Sequence, residues 1–72
     1  MENQDENVLY TFDKSNTEQV RIRETTFKGK EYIDIRIYAQ NQMHEYIPTK
    51  KGVMLSREKM QELKKALNDL IG

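Results

Sequence analysis

FKGKEYIDIRIY, residues 27–38, reads as a tight turn running into the longest strand of the chain. From Lys30 onward the side chains alternate. Ile33, Ile35, Ile37 and Ala39 share one phase, with Glu31 as its only charge. Lys30, Tyr32, Asp34, Arg36 and Tyr38 share the other. Successive residues of a strand point to opposite faces, so this segment predicts one apolar face and one face of charges and phenols. The apolar face has to be covered. The other face mixes cations with flat rings, a combination suited to a single nucleic-acid strand, whose phosphates meet the cations and whose bases stack on the rings. An ordinary half-buried antiparallel strand with a merely soluble wet face gives the same alternation.

Around this stretch the rest of the chain falls into place. Residues 8–12 form a short apolar-rich strand, and DKSNT (13–17) is a turn cluster. Residues 19–26 form a second strand, in which Val20 and Ile22 alternate with Arg21 and Arg23. If the aliphatic pair faces the core, both arginines lie on the open face. Lys28-Gly29 is the hairpin connection, with the glycine supplying a positive φ. Residues 30–39 form the third strand and 40–42 a loop. Residues 43–48 are expected as an edge strand, because Pro48 has no N–H to give to a ladder. TKKG (49–52) reads as a basic loop and 53–55 as a last short strand.

Residues 56–71 form the one helix. Ser56 suits the N-cap, and Glu58 suits the positive end of the helix dipole. Lys59 stands where a capping box would need Glu or Gln. Met60, Leu63, Ala66, Leu67, Leu70 and Ile71 recur at three and four residues and form one apolar stripe ending at Gly72. The fold class is therefore α+β: an antiparallel sheet of four to five strands and a C-terminal helix. The expected organisation is a flexible acidic segment at 1–7 and one domain at 8–72.

A chain of 72 residues buries little apolar surface. Without cysteine it has neither disulfides nor thiolate metal sites to compensate. Oligomerisation is the remaining source of stability, and the helix stripe offers a homodimer interface through Met60, Leu63, Leu67 and Leu70. No apolar run approaches membrane-spanning length, and no signal peptide opens the sequence. The expected location is the cytoplasm, associated with the nucleoid in a bacterium.

Formal net charge is zero, with 12 bases balancing 12 acids. A nucleic-acid binder usually shows a basic excess. The distribution is uneven, however. Glu2, Asp5, Glu6 and Asp13 stand in residues 1–13 without a base, whereas Lys14, Arg21, Arg23, Lys28, Lys30, Arg36, Lys50 and Lys51 outnumber the acids of 14–55. Local field rather than net charge steers a polyanion.

Catalysis has little support, and no catalytic residue, metal ligand or cofactor is expected. His44 is the only histidine and has no nucleophile pattern around it. There is no phosphate-binding glycine loop, HExxH or EF-hand spacing. Glu31 and Asp34 are three strand positions apart, face opposite sides and cannot act together.

FKGK followed by an IDIR-Y strand, then PTKKGVMLS and a terminal amphipathic helix, resembles the single-strand DNA-binding domain of the transcriptional positive cofactor four family. The likeness covers about residues 27–67 and, lacking a long serine-rich region, is to the small stand-alone form of bacteria and phages. The resemblance implies a homodimer with helices at its interface and curved sheets that take single-stranded DNA, or the separated strands of melted duplex, with little sequence preference. It places DNA contacts on Phe27, Lys28, Lys30, Arg36, Lys50, Lys51 and Gly52. Phe27 would stack on a base, the cations would hold phosphates, and Gly52 would let the backbone approach the strand. To these the basic face adds Arg21, Arg23 and Tyr38. Two positions depart from the pattern. Ala39 replaces a stacking tryptophan, which would shift stacking to Tyr32, Tyr38 or Tyr46, and Met60 replaces an interface aromatic. The function expected is a dimeric, non-catalytic single-stranded DNA-binding protein of coactivator type, with transcription or replication proteins as further partners. The alternatives are a protein-interaction module with a weakened groove and an RNA-binding variant.

Overall fold

The computed structural model describes residues 8–72. The expectation for residues 1–7 lies outside them. β1 (Val8–Asp13), β2 (Glu18–Phe27), β3 (Lys30–Gln40) and β4 (Tyr46–Ser56) form a single antiparallel meander in the order β1-β2-β3-β4, an open curved sheet followed by α1 (Arg57–Ile71). The β2–β3 ladder runs unbroken from Glu18 opposite Ala39 to Phe27 opposite Lys30. Lys28 (φ 54°) and Gly29 (φ 80°) close it. Both turn residues are left-handed, as a two-residue turn matched to strand twist requires, so Lys28 shares the role that the sequence assigned to glycine alone.

β4 corrects one expectation. Instead of an edge strand at 43–48, a loop at 49–52 and a second short strand, one strand runs through Tyr46–Ser56. Arg36 pairs with Gly52 and Tyr38 with Pro48, so Ile37 alone faces residues 49–51 in a bulge. The Thr49 hydroxyl holds this bulge together. It donates to the Ile37 carbonyl at 2.8 Å and accepts the Lys51 N–H at 3.1 Å, replacing ladder bonds that the extra residues interrupt. Met43 and His44 belong to the preceding loop, which Asn41 organises. The Asn41 side-chain oxygen accepts from the Met43 and Glu45 N–H groups at 2.8 and 3.0 Å.

Ser56 caps α1 by accepting the Lys59 N–H at 3.3 Å, and the Gly72 N–H returns to the Asn68 carbonyl at 2.8 Å. The helix contacts β3 and β4 but buries none of its residues. Met60 and Leu63 are half-buried, whereas Leu67, Leu70 and Ile71 are exposed. The apolar sheet face is similarly open. Ile33 is buried, but Val20, Ile22, Ile35 and Ile37 are only half-buried, and Tyr10, Phe12, Ile47 and Val53 are exposed. The radius of gyration is 13.4 Å, against about 11 Å for a compact domain of this length. The chain is a curved plate with a helix at one end, and its own helix does not supply the cover that the alternation demands.

Candidate nucleic-acid interface

Residues opposite one another in an antiparallel ladder share a face. The β2–β3 register therefore lines up Phe27 with Lys30, Thr25 with Tyr32, Arg23 with Asp34, Arg21 with Arg36 and Gln19 with Tyr38 on one side of the hairpin. Gly52 joins this row opposite Arg36, and Met54 opposite Asp34. Arg21, Arg23, Lys30, Arg36 and Tyr38 thus belong to one polar face, as the alternation predicts, and Phe27 and Gly52 join them there. Lys28 sits on the hairpin tip, and Lys50 and Lys51 on the β4 bulge.

Phe27, Lys28 and Lys30 are exposed, Phe27 at 52%. The Lys28 ammonium lies 5.3 Å from the centre of the Phe27 ring, so a cation and a flat ring stand together at the tip. Lys50 and Lys51 are exposed as well. The bulge turns what reads as loop composition into a fixed presentation of two lysines from a strand.

The middle of the face differs from the wet surface that the alternation predicts. Asp34, at 1% exposure, and Tyr38, at 2%, are more buried than Ile33, at 7% on the apolar side. The cause is side-chain layering by arginine. The Arg21 guanidinium lies over Tyr38, 4.3 Å from the ring centre, and 5.8 Å from that of Tyr46. The Gln19 side-chain oxygen accepts from both Nε and Nη2 of Arg21 at 3.2 Å and fixes its plane. Tyr38 therefore supports an arginine from beneath instead of offering its own ring to a base.

Asp34 is similarly roofed. Arg36 donates from Nε to Asp34 Oδ2 at 3.1 Å and from Nη2 to Oδ1 at 3.0 Å, a two-point fork. Arg23 Nη2 donates to Oδ2 at 3.1 Å. Arg36 Nη1 reaches across to the Thr49 carbonyl at 2.9 Å and so fastens the β4 bulge to β3. The hydrogen bond to Asp34 raises the Arg36 pKa above the ordinary arginine value, outweighing the opposing effect of burial, and the Asp34 charge adds to the rise. Gly52 gains an internal reason from this arrangement. A Cβ there would stand 2.7 Å from the Ile35 carbonyl oxygen and 3.1 Å from Arg36 Cζ. The glycine leaves the space through which the Arg36 side chain passes.

Sequence reasoning did not include Asp34, Gln19 and Thr49 in the site. Asp34 had a usable signal, a lone acid in phase with Lys30 and Arg36 on a strand whose neighbour supplies Arg23 in the same phase. Ala39, opposite Glu18 and Ile47, is half-buried. Among the described residues no three His, Cys, Asp or Glu side chains gather to hold a metal, and no helix is long and apolar enough to cross a membrane.

A four-stranded meander with a bulged basic edge and one terminal helix makes the chain a small curved-sheet α+β domain, its polar face layered with arginine over acid and phenol. The chain belongs to the family described as Transcriptional Coactivator p15 (PC4), whose sequence model matches residues 12–66. It is similar in fold to a PC4 homolog from Burkholderia pseudomallei in two crystal forms. The tetragonal form has 23% identity and a TM-score of 0.77 and covers 83% of this chain and 88% of that one. The orthorhombic form has 22% identity and a TM-score of 0.78, covering 92% and 90%. A bacteriophage T5 homolog of the eukaryotic transcription coactivator PC4, implicated in recombination-dependent DNA replication, has 26% identity and a TM-score of 0.71 over 86% of this chain and 73% of that one. Together these matches make the chain a PC4-like member, similar in fold to bacterial and phage homologs.

Proposed function

We propose that this chain is a homodimeric, non-catalytic single-stranded DNA-binding protein of the coactivator type. The observation that carries the reading is the clustering of exposed Phe27, Lys28 and Lys30 at one hairpin tip, with Lys50 and Lys51 on the bulge of the same sheet. Family membership supports it. Phosphates meet the lysines and the outer edges of the arginines, and bases stack on Phe27, with little sequence preference because phosphate contacts carry none. The phage homolog's link to DNA replication supports replication or transcription proteins as partners. The second subunit of the dimer covers the exposed stripe of Leu67 and Leu70 and the open apolar sheet face.

One observation favours the protein-interaction alternative: Arg23 and Arg36 are already engaged by a buried acid. Fluorescence anisotropy with a labelled thymine 20-mer at two salt concentrations separates the readings. A dimer holding several phosphates should show a log–log salt slope on the order of −3 to −5, at about −0.7 per phosphate neutralised. Duplex of the same length should bind more weakly, since its bases are stacked inside. A slope near zero, or equal affinity for duplex and single strand, would falsify the groove reading.

A further inference from the structure

A surface that attracts a polyanion gains nothing from a carboxylate by simple charge counting, yet the middle of this face contains one. Asp34 is 1% exposed and has its two oxygens occupied by three guanidinium N–H donors, two from Arg36 and one from Arg23. Burial at this depth is tolerated only because the acid is paired, and the group as a whole keeps one positive charge. We propose that Asp34 is the positioning residue of the phosphate-binding face, holding the Arg23 and Arg36 side chains in their binding pose before any strand arrives. This inference rests on the single-strand-binding reading above.

The geometry around Arg36 supports the assignment from three sides. The fork to Asp34 fixes the guanidinium plane. The Thr49 carbonyl, 2.9 Å from Nη1, fixes its rotation and ties it to the bulge that carries Lys50 and Lys51. The missing side chain at Gly52 leaves its path open. Of the five N–H donors of a guanidinium, three are spent on these partners, and two remain for an incoming phosphate. A long side chain that is already immobilised loses less conformational freedom on binding than one ordered by the ligand. The repulsion of one screened acid is thereby offset by preorganisation of two cations and, through Thr49, of the adjacent lysine pair.

The test uses the full chain, the labelled thymine 20-mer and melting curves. Charge counting and positioning predict opposite signs for Asp34→Asn. Removing an acid should tighten binding if only net charge matters. If position matters, affinity should fall on the order of tenfold, the equivalent of one charge-assisted hydrogen bond to phosphate. Asp34→Glu keeps the charge and displaces the carboxylate by one methylene, and it should also weaken binding. Unchanged or tighter binding by folded Asp34→Asn overturns the proposal, as does a lowered melting temperature with unchanged affinity of the folded fraction, which marks a purely structural role. A third readout needs no variant and decides the matter should both variants unfold. In wild-type protein the Arg36 Nε–H should give a sharp, slowly exchanging NMR signal before DNA is added and keep it afterwards. An averaged signal that sharpens only with the 20-mer overturns the proposal. No binding by the wild type overturns the functional reading along with it, whereas wild-type binding with unchanged variants overturns the positioning role alone.

Discussion

The polar face of the β2–β3 hairpin and the apolar surface shared by the sheet and α1 are opposite kinds of construction. The polar face is finished within one chain. Its acid and phenol are buried, down to 1% exposure at Asp34, beneath half-buried arginines that pair with one and stack on the other. The apolar surface is unfinished, with Phe12 and Val53 on the sheet and Leu67 and Leu70 on the helix still exposed. On the proposed reading, the difference teaches that the polar face is prebuilt for its ligand, whereas the apolar surface is left for a second subunit to cover. Hydrophobic burial is proportional to area and indifferent to direction, so it can be supplied by any complementary surface. A guanidinium–carboxylate layer depends on geometry and gains from being set by a local ladder.

The comparison breaks most severely at the helix. Leu63→Asp or Leu67→Asp should abolish the dimer and with it the folded state, because an unpaired buried charge costs several kcal/mol against a total stability of only about 5–15 kcal/mol. Sedimentation and circular dichroism over a dilution series check this. A folded Leu67→Asp monomer at micromolar concentration would show that one chain suffices.

Gly52→Ala comes next. It leaves the apolar surface alone and crowds Arg36 and the Ile35 carbonyl. A destabilisation of about 1–3 kcal/mol is expected, as for overpacking. A melting curve unchanged from wild type would mean that β4 yields freely at its bulge. Phe27→Ala acts on binding instead: removing one base stack should cost about 1–3 kcal/mol of affinity with little change in melting temperature. Had Phe27 belonged to the core, its truncation would remove about 3–5 kcal/mol of stability, so the melt separates the two roles.

Replacing both Lys50 and Lys51 with alanine should make the salt slope shallower by about 0.7 for each phosphate that is no longer neutralised, equally for different base sequences. A slope unchanged within error would remove the bulge from the interface. The smallest effect belongs to Glu18, whose hydrogen bond from Lys14, 3.1 Å away, lowers its pKa from the ordinary 4.5. A carboxylate with a depressed folded-state pKa contributes stability above its unfolded value and loses it as pH falls through the folded one. Glu18→Gln should therefore melt slightly below wild type at neutral pH, and the difference should fade as pH falls below 4.5 and vanish once it passes the lowered folded-state value.

Period-two patterning was enough to read the hairpin from the sequence, because Ile33, Ile35 and Ile37 have no polar interruption and Lys28-Gly29 punctuates the turn. The helix was legible from Ser56 and the stripe behind it. β4 was not, since TKKG has the composition of a loop, and only the Thr49 hydroxyl bonding to Ile37 and Lys51 keeps it within the strand. The burial of Asp34 and Tyr38 was equally hidden. A strand pattern says which side a residue faces, but not that arginines from two strands will close over it. The reason for Gly52 depended on a side chain crossing from the neighbouring strand, a relation that linear spacing does not contain.

β4 is also the outer strand of the sheet, and an outer strand is where one molecule can add to the next without limit. Pro48 withholds a donor there, the bulge breaks the straight run of backbone groups, and Lys50 and Lys51 make any strand-to-strand approach repulsive. Lys50 and Lys51, proposed to grip DNA, are thus also suited to disfavour edge-to-edge addition of one molecule to the next. Substitutions that made this edge apolar to retune binding would sacrifice solubility, so the basic bulge is constrained by colloidal behaviour as well as by its ligand.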